Sequence, residues 1–430
     1  MSVAEARKIS VVTLGCSKNV VDSEALMAQL AAGRVKLVEP DEAETIVINT
    51  CGFIEAAKQE SIDAIVEAVE KKKRGEIAHI VVMGCLSERF REELVKEIPD
   101  VDAYIGANKI PEVLSSLGVD YRRELLGERR LTTPSHFAYV KISEGCDHPC
   151  SFCAIPLMRG RHASRPEQDV LHEASLLAAR GVRELIVIGQ DTTAYGMDRS
   201  GTQHLAALLG RLQELPGVEW IRLMYAYPAQ FPEDVLDAFA AFPKLARYLD
   251  IPVQHIADPV LRSMRRGISS RATRELLTHI RERVPGIALR TTLIVGYPNE
   301  TEDDFRALCD FVEETKFHRL GVFPYSHEEG TTAALLGDPV PQSVKEERQA
   351  AIMEIQQRIS EERNRSLVGS VQRVLIDRAE DGQLVGRTEW DAPEIDQEVS
   401  LPDDGRTPAG SFVPVRITDA VEYDLFGERV

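Results

Sequence analysis

The sequence EGCDHPCSFC, residues 144–153, contains three cysteines in a Cys-x3-Cys-x2-Cys arrangement, namely Cys146, Cys150 and Cys153. It directly follows an apolar run, residues 137–142, that has the composition of a β-strand. Three thiolates on one short loop can hold three irons of a 4Fe–4S cube and leave the fourth iron open. A zinc loop is the alternative, but structural zinc sites usually take four ligands from paired motifs, and no second Cys-x2-Cys occurs in the sequence.

A regular alternation of apolar runs and helical patterns surrounds this loop. Strands are predicted over residues 137–142, 184–188, 220–224, 248–251, 288–295 and 319–323. Helices are predicted over residues 166–180, 204–215, 232–242, 259–264, 271–284 and 301–315, and a long charged helix over 344–367. Six strands with intervening helices predict a closed or partly open β/α barrel over residues 136–365, whose active site lies at the carboxyl ends of the strands.

The N-terminal region, residues 1–125, repeats one pattern three times: an apolar run that ends in a small residue and is followed by a cysteine. The runs 9–15, 45–50 and 80–84 precede Cys16, Cys51 and Cys85, and helical stretches (21–31, 55–72 and 88–98) follow them. This order predicts a parallel α/β sheet with all three thiols at its carboxyl edge, where ligands bind in such sheets. We expect a second cluster there, against the alternative of buried structural cysteines. Cys309 lies within a helical pattern and is expected in the core.

The C-terminal region, residues 366–430, has short alternating runs with turn signals between them. These runs cover residues 371–376, 383–388, 398–401 and 412–417, and they predict a small all-β barrel or sandwich. The region holds six arginines, no lysine and fourteen acidic residues, a net charge of −8. A charge-rich stretch, residues 121–135, is interpreted as the linker between the first two domains.

Composition limits the function further. The 430 residues carry 51 Lys and Arg against 69 Asp and Glu, a net charge of −18, so nucleic acid contact is not expected to dominate and a basic partner is favoured. Apolar residues make up 43% of the chain, which excludes a largely disordered or fibrous protein. No apolar run approaches the roughly 20 residues of a membrane span, and residues 1–10 lack the apolar middle of a secretory signal, so a cytoplasmic protein is predicted.

These motifs together resemble a known family. The cysteine loop is similar to that of the radical S-adenosylmethionine superfamily over about residues 136–330, and the whole chain resembles the radical S-adenosylmethionine methylthiotransferases, with a C-terminal module like the TRAM domain. The stretches DTTAYG (191–196), YAYP (225–228) and DIPVQHIAD (250–258) resemble the branch that modifies a ribosomal-protein aspartate (RimO type). The transfer-RNA branch typically has an asparagine-rich segment where residues 191–196 stand.

The resemblance implies an α/β fold with two 4Fe–4S clusters and S-adenosylmethionine as cofactors. In the scheme it implies, the cluster on the loop cysteines generates a 5′-deoxyadenosyl radical, and the cluster on the other three cysteines provides the methylated sulfur that is transferred. The catalytic residues are then Cys146, Cys150 and Cys153. The residues expected to bind the cofactor are Phe152, Gly189, Gln190, Asp191, Arg165, Ile294 and Gly296.

A smaller set of residues is predicted to line the substrate pocket. Tyr195, Gln254 and His255 lie at or near predicted strand ends, although a lone histidine is more often only hydrogen-bonded. Arg159, Arg161 and Arg165 follow the cluster loop and could contact a cofactor or substrate carboxylate, or be ordinary surface arginines.

Three functions remain open at this point. The first is methylthiolation of the β-carbon of an aspartate in the small-subunit ribosomal protein uS12, and the second is methylthiolation of isopentenyl-adenosine in transfer RNA. The third is a non-enzymatic iron–sulfur redox sensor or binding module. The acidic C-terminal module favours the first, because ribosomal proteins are generally basic.

The expected partners follow from the first function. They are the ribosomal protein, free or within the ribosomal subunit, and an electron donor such as a flavodoxin or ferredoxin. The predicted docking surface is formed by Asp391, Glu394, Asp396, Glu398, Asp403 and Asp404.

Overall fold

The structure, a computed structural model, describes residues 7–33 and 35–430. Residues 1–6, which belong to the stretch examined for a secretory signal, and Arg34 lie outside the described residues. In the part of the chain that is described, no helix combines the length and apolar character that a membrane crossing requires.

The N-terminal region is a parallel sheet of five strands in the order β2-β1-β3-β4-β5. The strands are β1 (Lys8–Thr13), β2 (Lys36–Leu37), β3 (Thr45–Thr50), β4 (His79–Gly84) and β5 (Ala103–Ile105). The helices are α1 (Ser17–Ala32), α2 (Glu55–Lys73), α3 (Cys85–Arg89), α4 (Arg91–Glu97) and α5 (Ile110–Ser116). The predicted β-α alternation is confirmed, but β2, β5 and α5 were not predicted, and Phe90 breaks the helix expected over 88–98 into two.

Helices cover both faces of this sheet, and its central strand shows why. All six residues of β3 are buried. Ile46 and Ile48 pack with residues of α2 and α4, while Val47 packs with residues of α1 and α5. Because successive strand residues point to opposite faces, a continuously apolar run marks a strand buried on both sides.

The central region is an open parallel sheet of six strands in the order β13-β12-β11-β10-β9-β6. The strands are β6 (Phe137–Lys141), β9 (Glu184–Ile188), β10 (Trp220–Leu223), β11 (Leu245–Asp250), β12 (Ala288–Val295) and β13 (Arg319–Pro324), with the short strands β7 (Ser143–Glu144) and β8 (Ala163–Ser164) beside them. All six predicted strands are confirmed, and the barrel is partial because β6 and β13 are edges that do not pair.

Helices alternate with these strands, and all of them except the short helices α6 and α8 were predicted. They are α6 (Ile155–Arg159), α7 (Glu167–Ala179), α8 (Met197–Ser200), α9 (Leu205–Leu212), α10 (Glu233–Ala241), α11 (Asp258–Ser263), α12 (Ser270–Arg283), α13 (Glu302–Thr315) and α14 (Gln342–Ser366). The largest apolar core of the protein lies between this helical layer and the sheet. The helix α14 packs along β13 and α13 and leads into the C-terminal region.

The C-terminal region is a closed five-stranded barrel in the order β14-β15-β16-β18-β17, so the barrel alternative is confirmed over the sandwich. Its strands are β14 (Val371–Glu380), β15 (Gln383–Arg387), β16 (Glu398–Pro402), β17 (Phe412–Ala420) and β18 (Asp424–Arg429). The strand β18 was not predicted, and it closes the barrel by pairing parallel with β16 and antiparallel with β17. Closure leaves no strand edge unpaired.

The stretch interpreted as a linker, residues 121–135, is instead part of the interface between the first two domains. Arg129 is buried and pairs with Glu24 of α1 and with Glu173 of α7. Burial by itself would raise the pKa of Glu173, but Arg165 and Arg129 outweigh that effect and hold it below its ordinary value. The segment that joins the two domains is therefore packed at their interface, because the arginine in a charged run meets two carboxylates that are distant in sequence.

The predicted acidic docking surface is also corrected. The side chains of Asp391 and Asp396 are 0% and 2% exposed, and they face Arg319 and Arg290 of the central sheet. The segment that carries them, residues 388–397, enters the concave side of the sheet, where Trp390 and Ala392 pack with Tyr248. These carboxylates are therefore used to neutralise buried arginines, and they cannot form a free surface.

Candidate active site

The two cysteine triads line a single cavity of about 340 Å³. Cys16, Cys51 and Cys85 come from the N-terminal sheet, and the loop cysteines come from the central sheet. The carboxyl edges of the two parallel sheets therefore face each other across this space. The βα pattern predicts that Cys16, Cys51 and Cys85 meet at one sheet edge, whereas the shared cavity of the two triads was not predicted.

Side-chain amides hold the strand ends of the N-terminal triad in place. Asn19 Nδ2 donates to the carbonyl oxygens of Leu14 (2.7 Å) and Thr50 (3.1 Å), which joins α1 to the ends of β1 and β3. Gly84, immediately before Cys85, has φ +104°, and a Cβ there would lie 2.6 Å from the Thr50 carbonyl oxygen. Only glycine fits where β4 turns so closely past β3.

Burial determines the protonation of these thiols. Cys16 is exposed, whereas Cys51 and Cys85 are buried. Burial raises the pKa of Cys51, and it raises that of Cys85 to about 12 although the Arg159 charge opposes this. Both thiols are therefore protonated near neutral pH, and binding of a metal would displace the protons because a coordinating thiol is deprotonated.

The loop that carries the other triad is enclosed by the hairpin of β7 and β8, which was not predicted. Ser143 and Glu144 pair antiparallel with Ser164 and Ala163. Gly145 begins the loop with φ +72°, and a Cβ there would lie 2.1 Å from the Arg161 carbonyl oxygen. The start and the end of the cysteine loop are therefore in direct contact, and any side chain at position 145 would separate them.

Three residues support the loop cysteines from the cavity side. His148 Nε2 lies 2.6 Å from Asp191 Oδ2, and the His148 ring stacks on Tyr227 with 3.5 Å between centroids. Arg266 Nη1 lies 3.3 Å from Cys150 Sγ and Nη2 donates to the Pro252 carbonyl oxygen at 2.6 Å. These contacts fix where the thiol of Cys150 points.

Burial also raises the pKa of Cys146 to about 11 and that of Cys153 to about 12. Like the buried pair in the N-terminal domain, these thiols are protonated at neutral pH and become ligands only by losing a proton to a bound metal.

The donor set of the cavity fits two iron–sulfur clusters. Each set of three cysteines lines this cavity, and three thiolates can hold three irons of a 4Fe–4S cube and leave the fourth iron open. Among residues 7–33 and 35–430, no three His, Cys, Asp or Glu side chains are already arranged around a single metal ion.

Besides the six cysteines, four predicted site residues line this cavity: Phe152, Gln190, Gln254 and Arg159. Gln190 Nε2 donates to Glu144 Oε1 at 2.6 Å, and its carbonyl oxygen has no partner among the described residues. The carbonyl oxygen of Gln254 is likewise unpartnered. Two buried acceptors at the cavity wall are available to a ligand that donates hydrogen bonds.

Arg159 lines the cavity but does not present a free charge to a ligand. Its guanidinium pairs with Asp22 at 2.7 Å and donates to Asn108 Oδ1 at 3.0 Å. It also contacts the sulfur of Cys85. The predicted contact with a cofactor or substrate carboxylate is corrected, because a carboxylate of the protein already occupies this arginine.

Gly189 and Asp191 lie behind the wall of the cavity. Asp191 is buried, and besides orienting His148 it accepts hydrogen bonds from the backbone N–H (2.8 Å) and hydroxyl (2.6 Å) of Thr193. A Cβ on Gly189 would lie 2.6 Å from Ser143 Oγ. Both residues position the loop rather than face the space within the cavity.

The other five predicted residues are not among the cavity-lining residues. Arg165 pairs with Glu173 at 2.8 Å, and Tyr195 donates to the Arg165 carbonyl oxygen at 3.0 Å. His255 is buried, and its Nδ1 accepts from the Ala257 N–H at 3.0 Å. Its Nε2 lies 3.3 Å from Glu300 Oε2 and has no hydrogen-bond partner among the described residues, so a substrate contact by His255 stays a prediction.

Ile294 packs in a small apolar cluster that also contains Phe152, and Gly296 lies against Lys345, whose Cγ would be 2.3 Å from a Cβ there. A direct ligand contact by Ile294 or Gly296 stays a prediction. Arg161, 91% exposed and beside Asp147, is an ordinary surface arginine.

Several cavity-lining residues were missed by the sequence analysis. They are Lys18, Phe53, His148, Ile155, Met158, Tyr225, Ala226, Tyr227, Pro252, Arg266 and Thr292. A signal existed for some of them, since Lys18 lies two residues after Cys16 and Tyr225 begins the YAYP stretch. Nothing in the sequence marks Arg266, which reaches the site from the turn after α11.

Three protein-family models match successive regions of the chain. Residues 8–106 match the uncharacterized protein family UPF0004, residues 140–312 match the radical SAM superfamily and residues 368–430 match the TRAM domain. These matches agree with the predicted parallel α/β domain, partial barrel and small all-β module.

Solved structures with similar folds belong to radical S-adenosylmethionine enzymes. The methyltransferase TsrM from Kitasatospora setae superposes with a TM-score of 0.56 at 15% identity, over 94% of this chain and 84% of that chain. The cobalamin-dependent enzyme OxsB superposes with a TM-score of 0.52 at 15% identity, over 81% of this chain and 56% of that chain. At this identity the similarity is one of fold.

Much higher sequence identity is found with curated proteins that span the full length of the chain. The ribosomal protein uS12 methylthiotransferase RimO of Cytophaga hutchinsonii is 51% identical over 427 residues, and that of Flavobacterium johnsoniae is 53% identical over 426 residues. In both cases the match covers 98% of each chain. The non-enzymatic alternative is thereby excluded, and the chain belongs to the RimO family of radical S-adenosylmethionine methylthiotransferases.

Proposed function

We propose that this protein uses S-adenosylmethionine to attach a methylthio group to the β-carbon of an aspartate in ribosomal protein uS12. The observation that carries the proposal is that both cysteine triads line one cavity. A C–H bond at such a carbon is too weakly acidic for a side-chain base to deprotonate, so its replacement requires a radical. The group that makes the radical and the group that holds the sulfur must then reach the same carbon, and a shared cavity allows this.

The residues of the chain divide this work between them. When bound, one 4Fe–4S cluster at Cys146, Cys150 and Cys153 supplies the electron that cleaves S-adenosylmethionine, and a second at Cys16, Cys51 and Cys85 carries the sulfur. Arg266 orients Cys150, and the His148–Asp191 pair holds the loop.

The cavity wall also protects a reactive intermediate. Phe53, Phe152, Ile155 and Met158 give it an apolar lining. Such a lining excludes water from this part of the cavity, which limits side reactions of a carbon radical.

The partner is proposed to be the basic protein uS12, free or within the small ribosomal subunit. The net charge of −18 supports a basic partner. With Asp391 and Asp396 buried, the exposed acidic residues of the C-terminal barrel are the candidates for the docking surface, and they include Glu380, Asp381, Asp403 and Glu428. A flavodoxin or ferredoxin as electron donor, and a cytoplasmic location, complete the proposal.

The two triads can be tested separately. Anaerobically reconstituted protein should hold about eight irons, and the Cys146→Ala, Cys150→Ala, Cys153→Ala variant about four. This variant, which lacks the three loop cysteines, should not form 5′-deoxyadenosine. The Cys16→Ala, Cys51→Ala, Cys85→Ala variant should form 5′-deoxyadenosine but no methylthio product. Normal product from either variant would contradict the proposal.

The substrate is identified by mass spectrometry of a deletion strain. The methylthio mass should be missing from an aspartate-containing peptide of uS12 and should return on complementation. If the missing modification is found in transfer RNA instead, the substrate assignment is wrong although the chemistry is retained.

A further inference from the structure

Lys18 is a buried cation that faces the cavity without an anion of its own. It lies in the first turn of α1, it is 7% exposed, and it lines the cavity two residues after Cys16. Its Nζ lies 2.9 Å from the centroid of the Tyr225 ring. Within residues 7–33 and 35–430, no carboxylate forms an ion pair with this ammonium and no acceptor takes a hydrogen bond from it.

The other cations around the cavity each donate a hydrogen bond to a described acceptor, although Arg266, like Lys18, has no carboxylate partner among the described residues and its Nε is unpartnered. Arg159 and Lys141 share Asp22 and Glu144, and Arg266 donates to the Pro252 carbonyl oxygen. Burying an ammonium without a counter-charge is unfavourable, and contact with an aromatic face offsets only part of that cost. An ammonium in this position, at the wall of a cavity, is suited to bind an anionic ligand.

We propose that the Lys18 ammonium binds the side-chain carboxylate of the aspartate that is modified. The inference rests on the proposed function and adds to it the residue that selects the substrate side chain. Lys18 belongs to the N-terminal domain and Tyr225 to the central sheet, so a carboxylate on Lys18 lies at the junction of the two domains that carry the triads.

The chemistry of aspartate explains why this placement matters. The β-carbon is bonded directly to the carboxylate carbon, so an ion pair at the carboxylate restricts the β-carbon to a small volume between the triads. Fixing the reacting atom in this way is a positioning contribution to catalysis. A charged partner also distinguishes aspartate from asparagine, which has the same shape and no charge.

The methionyl group of S-adenosylmethionine also carries a carboxylate, so the experiment must separate the two sources. Lys18→Met removes the charge and keeps most of the length, Lys18→Arg keeps the charge, and Lys96→Met is the control because Lys96 is 82% exposed on α4. Each reconstituted protein is assayed for iron content, affinity for S-adenosylmethionine, and affinity for two uS12 peptides that differ only in having aspartate or asparagine at the modified position.

We expect the iron content and the affinity for S-adenosylmethionine of Lys18→Met to match those of the wild type. Its affinity for the aspartate peptide should fall by about tenfold or more, the size of effect typical of removing one partner of a buried charge pair, and its preference over the asparagine peptide should disappear. Lys18→Arg should keep that preference, and Lys96→Met should match the wild type throughout.

Three results would overturn the inference. If the Lys18→Met variant still binds the aspartate peptide more tightly than the asparagine peptide, as the wild type does, another group binds the carboxylate. A comparable loss of affinity for S-adenosylmethionine assigns Lys18 to the cofactor. If the Lys18→Met variant binds less iron than the wild type, the Lys18→Gln variant is assayed instead. If that variant also binds less iron, Lys18 supports a cluster and does not select the substrate. A wild type that neither binds nor modifies the uS12 peptide contradicts the proposed function itself, which is a distinct outcome.

Discussion

The guanidinium of Arg159 donates a hydrogen bond of 3.1 Å from Nε to the sulfur of Cys85. Arg159 ends α6 of the central domain, whereas Cys85 begins α3 of the N-terminal domain. One domain thus supplies a positively charged donor to a ligand thiol of the other. Hydrogen bonds and positive charge at a ligand sulfur stabilise the more electron-rich state of an iron–sulfur cluster, and so raise its reduction potential.

Replacing Arg159 with glutamine should therefore lower the reduction potential of the cluster held by Cys16, Cys51 and Cys85. We expect a change on the order of 50 mV, since 59 mV corresponds to a tenfold change for a one-electron couple. The measurement is a redox titration followed by electron paramagnetic resonance, in the variant that lacks the loop cysteines so that only one cluster is observed. Arg161→Gln is the matched control, because Arg161 is exposed and two residues away. An unchanged potential in Arg159→Gln would contradict this role.

Arg129→Met should destabilise the protein by about 3–5 kcal/mol, the usual cost of removing one partner from a buried charge network. The substitution leaves Glu24 without its arginine and Glu173 with Arg165 alone, between the first two domains. Chemical denaturation followed by circular dichroism measures the free energy of unfolding. Arg130→Met, at the exposed neighbouring position, is the control and should change it by less than about 0.5 kcal/mol. Equal effects at both positions would show that Arg129 contributes nothing specific.

The Glu184 carboxylate should make the free energy of unfolding decrease as the pH falls into the acidic range. Burial alone would raise its pKa, but Arg222 and Arg387 outweigh burial and hold the pKa below its ordinary value of 4.5. A carboxylate with a lowered folded-state pKa contributes stability above its unfolded pKa and loses it as pH falls through the folded value.

Glu184→Gln should consequently be less stable than the wild type at pH 7, and its stability should fall less steeply below about pH 4.5. Denaturation at pH 7, 5, 4 and 3 gives the comparison. Glu275→Gln, which removes an exposed carboxylate from α12, should leave the pH profile of the wild type unchanged. If the free energy of unfolding of Glu184→Gln falls with pH as steeply as that of the wild type, the Glu184 carboxylate is not the cause of the pH dependence.

Changing Glu380, Asp381, Asp403 and Glu428 to lysine should slow association with uS12, mainly through the on-rate, because exposed charges steer encounter. Added salt should weaken wild-type binding more than binding of the variant. The control makes the same change in charge on the N-terminal domain, at Glu92, Glu93, Glu97 and Asp100, all exposed. Stopped-flow binding at two ionic strengths gives the rates. If both variants slow association equally, total charge and not this surface is responsible.

Local patterns predicted most of the architecture, and Cys16, Cys51, Cys85 and Cys146 were placed correctly relative to the strands because each comes after a mainly apolar run. Such runs are recognisable one at a time. The strand β18 was missed because its sequence, DLFGER, has a single fully buried apolar residue, Leu425. It forms a strand only because β16 and β17 are already in place on either side of it.

The charged residues were predicted less well than the apolar ones, for a physical reason. A run such as residues 391–398 has the same composition whether it faces solvent or a buried arginine, and Arg290 and Arg319 are far away in the sequence. The same holds in the active site, where Lys18 and Arg266 differ from surface residues only through what the fold places beside them. Which charges are compensated is a property of the assembled domains.

The way residues 388–397 enter the concave side of the central sheet has a consequence for engineering the protein. Asp396 accepts a hydrogen bond from the hydroxyl of Tyr248. Arg290 forms ion pairs with both Asp396 and Asp250. The carboxylate of Asp250 in turn accepts a hydrogen bond from the backbone N–H of Tyr225, which lines the cavity. The C-terminal barrel is therefore part of the floor beneath the active site. A chimera that grafts a foreign TRAM domain after α14 should lose this floor, whereas one that exchanges the barrel strands but retains residues 388–397 should keep it.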